Sequence, residues 1–128
     1  MNNSFRFPKS RRLLKAAEFD RVFKRRRSQS DGLMVVYACE NEVGYPRLGL
    51  VVSRKYGRAV TRNQWKRRLR EAFRLAQREL PASVDLVVLP RAGAVPEMTH
   101  LQRSLLSLAR RAAARLNPHS SSAEPPES

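Results

Sequence analysis

Hydrophobic residues recur along this chain with two different periods. Phe19, Val22 and Phe23 fall on one helical face and predict a helix over 16–27. Arg25, Arg26 and Arg27 close it, where cations suit the negative end of the helix dipole. Residues 28–32, "SQSDG", read as a turn, and the β-branched and aromatic run 33–39, "LMVVYAC", reads as a strand. A polar connection over 40–46 leads to a second strand, 47–53, predicted to pair with the first as a hairpin. Residues 54–60 read as a basic loop carrying Gly57. Trp65, Leu69, Ala72, Phe73, Ala76 and Leu80 then mark an amphipathic helix to about Glu79, ended by Pro81. Thr61 followed by Gln64 matches a capping box, so this helix starts there or a turn earlier, near Arg58. "SVDLVVLP", 83–90, reads as a buried strand with Asp85 at an edge or strand end. A loop, 91–98, leads to a second capping-box match at Thr99 and Gln102. Leu101, Leu105, Leu108, Ala109 and Ala112 carry a last helix to about Leu116. The order is α-β-β-α-β-α, an α+β sandwich with helices on one sheet. A further short strand over 40–46 would escape this reading.

The rest of the chain is not periodic. Residues 1–15 form a basic arm, mobile or ordered by a partner. Residues 117–128, "NPHSSSAEPPES", have the composition of a disordered tail. Between them, 16–116 is expected to be one domain.

Charge changes the picture most. The 128 residues carry a formal charge of +15 with 41% hydrophobic content. A folded chain with that self-repulsion is best explained by a polyanionic partner. No apolar run is long enough to span a bilayer, and the N-terminus lacks the apolar segment of a secretory signal. The single cysteine, Cys39, cannot form an intramolecular disulfide, and its plain role is a small core residue in a reducing, cytoplasmic setting. His100 and His119 do not suggest a metal site or a triad.

Ten basic and two acidic residues lie within 1–30, and eight basic and two acidic within 58–79. Arg62, Lys66, Arg70 and Arg74 recur every four residues as one stripe, widened by Arg67 and Arg78. Such a row opposes the helix by about 0.2–0.5 kcal/mol per like pair, relieved in part by Glu71 opposite Arg67. A solvated helix face is the plain alternative. Two separate basic segments favour contact with the spaced phosphates of a nucleic acid. The apolar stripe through Trp65, Leu69 and Phe73 belongs to the core. Phe19, Phe23 and Tyr37 are either core or a platform on which unpaired bases stack. Catalytic constellations are thin: no Ser-His-Asp pattern, no paired carboxylates, no phosphate-cradling glycine loop.

Three separated blocks, "EFDRVFKR" (18–25), "RLGLVVSRKYGRAVTRNQWKRRLREAFR" (47–74) and "DLVVLPR" (85–91), resemble the protein subunit of bacterial ribonuclease P in order and spacing. The resemblance covers about residues 11–115. It implies a ribosomal-protein-S5-domain-2-like α+β sandwich of order α-β-β-β-α-β-α, with a four-stranded sheet and a left-handed β-α-β crossover. It also implies a third early strand, within 40–46 or by splitting 33–53. The family's basic motif reads Arg-Asn-Arg, any residue, Lys-Arg. Here it is Arg62-Asn63-Gln64-Trp65-Lys66-Arg67, so Gln64 stands where the family has a cation. By this resemblance Arg58, Arg62, Asn63, Lys66, Arg67, Arg68 and Arg70 contact RNA. Phe19, Phe23, Tyr37, Ser53 and Lys55 line a cleft for a single-stranded 5′ leader. The implied function is that of a cofactor protein in a ribonucleoprotein endoribonuclease that trims precursor tRNA. The catalytic RNA subunit and Mg2+ carry out the hydrolysis, the partners are that RNA and precursor tRNA, and no protein partner or membrane is required. Two other readings share the charge and the fold class. One is a ribosomal-type structural RNA-binding protein. The other is a DNA-binding module, against which stands the lack of a tight helix-turn-helix before the basic helix.

Overall fold

The computed structural model describes residues 9–53, 57–91 and 97–116. Its elements are α1 (Ala16–Arg25), β1 (Arg27–Ser30), β2 (Met34–Glu40), β3 (Arg47–Leu50), α2 (Ala59–Ala76), β4 (Val84–Pro90) and α3 (Met98–Ala114), preceded by a 3-10 turn at Lys9–Arg11. The strands form one sheet in the order β1-β2-β4-β3. β1 and β2, and β2 and β4, are antiparallel, whereas β3 runs parallel to β4.

β4 lies inside the sheet and is apolar on both sides. Leu86 and Val88 point to one face, Val87 to the other, and all three are fully buried. A strand covered on both faces reads as a continuous apolar run. On one face, Met34, Val36, Leu48, Leu86 and Val88 meet Trp65, Leu69 and Phe73 of α2 and Leu101, Leu105 and Leu108 of α3. Each fully buried aliphatic or phenyl side chain there contributes about 1.5–3 kcal/mol of transfer free energy. On the other face, α1 seats Val22 against Cys39 and Val87.

The strand pairing differs from the expected one. β2 and β3 are not a hairpin, since β4 inserts between them. The β2–β3 connection is instead organised by Asn41. Its side-chain amide donates to the Tyr45 carbonyl (3.1 Å) and to Asp85 Oδ1 (2.8 Å), while its own oxygen accepts from the Val43 N–H. No further strand lies between the end of β2 at Glu40 and the start of β3 at Arg47. The additional strand is β1, within the segment expected to end a helix and form a turn. "RSQS" lacks β-branched and aromatic residues, and it holds only as an edge strand paired to β2. Asp31 makes the turn between them, its carboxylate accepting from the N–H groups of Leu33 (2.8 Å) and Met34 (3.1 Å).

The helix caps differ too. α2 takes the earlier of its two expected starts, with Arg58 as N-cap and Ala59 as first helical residue, and α3 begins one residue before Thr99. Both threonines are already helical, so neither expected capping box forms. Glu18 does serve a helix start. It accepts from the backbone N–H groups of Lys15 (2.9 Å) and Leu14 (2.8 Å), and these bonds hold its carboxyl below the usual range.

Asp85, expected at an edge or strand end, lies next to the start of β4, but the strand is an inner one and the side chain is wholly buried. Arg47 grips it with two bonds of 2.8 Å, Asn41 donates to it, and Arg21 of α1 reaches it from outside. Residues 9–15 of the expected arm are also packed onto the body. Arg12 forms a parallel β-bridge with Leu48, the Leu13 N–H donates to the Leu48 carbonyl (2.9 Å), and Leu13 is buried. The expected tail, 117–128, lies outside the described residues.

Candidate nucleic-acid interface

Trp65, Leu69, Ala72, Phe73 and Ala76 turn inward and fix the roll of α2. That roll decides which cations face out. Asn63 and Arg67 are exposed, and Arg62, Lys66, Arg68 and Arg70 are half-buried at the flanks of the helix. Arg58 occupies the N-cap position with no side-chain cap bond. Arg62 Nε donates to the Gly57 carbonyl at 3.3 Å. The expected stripe is shorter than its spacing suggested. Arg74 pairs with Glu71 through two hydrogen bonds, so Glu71 neutralises Arg74 rather than Arg67. Among the described residues, no carboxylate pairs with Arg58, Arg62, Lys66, Arg67 or Arg70.

The aromatic site forms on the other face of the sheet. Phe23 and Tyr37 meet edge to face, with ring centroids 5.0 Å apart and planes at 85°. Phe19 lies over Gly49 of β3, so closely that a Cβ on that glycine would stand 2.7 Å from the ring. All three rings are half-buried against Val22, Cys39 and Val87. They are therefore part core and part surface, which joins the two readings that periodicity left open. Ser53 is exposed just beyond β3. Lys55 lies outside the described residues.

The two sites meet. A cleft of about 160 Å³ is lined by Arg12, Leu14, Phe19, Leu48, Lys66 and Arg70, among others. It joins the aromatic face of α1 to the cationic face of α2 around the β3 edge. Burial, and then the nearby Arg12 charge, shift the Arg70 guanidinium below its ordinary pKa. Cations are thus gathered here around an apolar floor, with no acid lining the cleft. Arg12 and Leu14 escaped the sequence reading as site residues because they fall in the segment read as an arm. The signal was the pair Leu13-Leu14 inside that basic run, which a purely solvated arm would not need.

Among the described residues, no group of three or more His, Cys, Asp or Glu side chains could hold a metal ion. No described helix is long and apolar enough to cross a membrane.

The family model for ribonuclease P matches residues 7–113. The chain belongs to the ribonuclease P family. Its similarity to curated relatives named ribonuclease P protein component is substantial. It is 46% identical to that of Chromohalobacter salexigens over 89 residues, covering 68% of this chain and 69% of the relative. It is 41% identical to that of Staphylococcus aureus over 95 residues, covering 73% and 81%. Solved structures agree. The RNase P protein from Thermotoga maritima superposes with a TM-score of 0.71 at 35% identity, over 78% of this chain and 96% of that one. That of Staphylococcus aureus gives 0.69 at 35% identity, over 78% and 93%. The mixed α+β fold with a four-stranded sheet is the fold of this family, and residues 7–113 include both the α2 cations and the aromatic cleft.

Proposed function

We propose that this chain is the protein subunit of ribonuclease P and assists removal of the 5′ leader from precursor tRNA. The observation that carries the reading is the continuity of two surfaces: cations on α2 that lack carboxylate partners run into a cleft that Phe19 shares with the aromatic face of α1. Such cations suit phosphates, and half-buried rings suit unpaired bases of any sequence at about 1–3 kcal/mol per base. On this reading Arg58, Arg62, Asn63, Lys66, Arg67, Arg68 and Arg70 bind the catalytic RNA, while Phe19, Phe23 and Tyr37 receive the single-stranded leader. Ser53 and Lys55 belong to the rim of that cleft by resemblance. The protein's work is electrostatic and geometric. It lowers phosphate repulsion and grips the leader, so the assembled particle binds substrate and Mg2+ more tightly. Hydrolysis and magnesium belong to the RNA subunit, in the cytoplasm.

Reconstitution tests this. The chain and the catalytic RNA together should cleave precursor tRNA at magnesium concentrations where the RNA alone is slow. Lys66→Gln should weaken binding to the RNA, whereas Phe23→Ala should reduce the affinity gained from the leader. No gain in cleavage on adding the protein would sink the reading.

A further inference from the structure

A second cationic surface lies away from α2. The end of α1, strand β1 and the last turns of α3 meet at the sheet edge opposite β3. Three hydrogen bonds hold them together. Arg27 Nε donates to the Arg115 carbonyl at 3.2 Å, Arg25 Nη2 to the Leu116 carbonyl at 3.3 Å, and Arg111 Nη2 to Gln29 Oε1 at 3.1 Å. Arg25 also grips Glu40. Arg25 and Arg27 therefore have structural roles, since they satisfy carbonyls that α3 leaves open at its end.

Lys24, Arg26, Arg111 and Arg115 are exposed around this joint. Among the described residues, no carboxylate comes within ion-pair distance of any of the four, although the Arg111 charge acts on the Asp31 carboxylate through space. The negative end of the α3 dipole favours Arg111 and Arg115, and that of α1 favours Lys24 and Arg26, so two helix ends bring four cations to one edge without pairing them.

Arg26 is the sharpest case. It closes α1 at φ 57°, ψ 32°, the left-handed region, with its N–H donating to the Phe23 carbonyl. Helices that close in this way use glycine for preference, because a Cβ is crowded there. An arginine accepts that crowding, and its exposed side chain makes no hydrogen bond or ion pair among the described residues. The α1 dipole favours a cation here, but it does not call for a side chain with a Cβ at a position where glycine closes a helix without crowding.

We propose that Lys24, Arg26, Arg111 and Arg115 form a second contact with an RNA phosphate backbone, on a segment distinct from the one that α2 holds. The chemistry selects RNA over an acidic protein. Protein interfaces place an apolar or aromatic patch at their centre. Here the centre is Ser28, Gln29 and Ser30, polar residues of an edge strand, ringed by these four cations. The inference rests on the ribonuclease P reading for the identity of the RNA.

The test uses the full chain and the catalytic RNA, with binding measured across a salt series and melting temperature measured in parallel. Arg26→Gly should melt at the same or a higher temperature, since glycine relieves the left-handed backbone, and yet bind the RNA several-fold more weakly. The double variant Arg111→Gln/Arg115→Gln should make the slope of log K against log[salt] shallower by about 0.7–0.9 for each phosphate it no longer neutralises. Its effect should add to that of Lys66→Gln, because the two sites contact separate phosphates of the RNA. Unchanged affinity and slope in the edge variants, beside weaker binding by Lys66→Gln, overturn the second contact and leave the ribonuclease P reading intact. Unchanged binding in all of these variants overturns both.

Discussion

Single side chains do opposing things within a few residues of one another. Gly49 is the clearest case. Phe19 fills the space that a Cβ would take: such an atom would lie 2.7 and 2.8 Å from two ring carbons and 3.2 Å from Leu13. Gly49→Ala should displace the ring and destabilise the fold by about 1–3 kcal/mol. Chemical denaturation reads the destabilisation. Comparing affinity for precursor tRNA with and without its leader reads the displacement of Phe19, and the leader-dependent part should fall more. Gln64 has a simpler outlook, because Thr61 is helical and caps nothing. Gln64→Arg should tighten RNA binding with no drop in melting temperature; a drop would mean that the glutamine has a structural contact of its own. Glu40 sets part of the acid response. Its hydrogen bonds from Arg25 hold its pKa at about 2, against an ordinary 4.5. The depressed value means that this contribution is present above about pH 4.5 and fades as pH falls toward 2. Glu40 is half exposed, so the contribution is small. Glu40→Gln should therefore lower stability slightly at neutral pH and flatten the stability curve between these two values, measured by urea unfolding at several pH values.

Elements are joined by one buried charge. Asp85 of β4 binds Arg47 of β3, Asn41 of the β2–β3 connection and Arg21 of α1. Arg21 lies between Phe19 and Phe23 in sequence, so the same helix that presents the rings is tied to the sheet through Asp85. Asp85→Ala strands the Arg47 guanidinium, which is mostly buried and whose pKa the Asp85 hydrogen bonds raise. Breaking a buried pair from one side costs about 3–5 kcal/mol, and denaturant titration should show a loss of that size. A loss under about 1 kcal/mol would contradict this account of the joint. β1 shows the reverse dependence. It has no strand-forming residues of its own, and its existence rests on pairing with β2 and on the Asp31 turn.

The molecule as a whole is a field as well as a fold. Its +15 charge is unevenly placed. Among the described residues, cations without carboxylate partners lie along α2 and at the β1 edge, while Glu18, Glu40, Glu71 and Asp85 are engaged in ion pairs. Association with RNA should weaken steeply as salt rises, with a slope of about −0.7 to −0.9 per phosphate contacted. A flat response in a binding titration across salt concentrations would remove the electrostatic basis of the proposed function.

Whatever depends on neighbours along the chain is legible in the residues alone. Helical periodicity located α1, α2 and α3 to within a few residues, because an inward stripe at Trp65, Leu69 and Phe73 has no other use. Apolar runs located β2, β3 and β4, and the blocks around 62–67 carried the family resemblance. Which strands pair is settled by packing, since β4 reaches its place between β2 and β3 from far along the chain by burying both faces. Packing alone made a strand of Arg27–Ser30, drew Arg12 and Leu14 to the cleft, and buried Asp85 among partners from three other segments. In each case the stabilising contact is long-range, and a pattern read along the chain holds no trace of which distant residue will supply it.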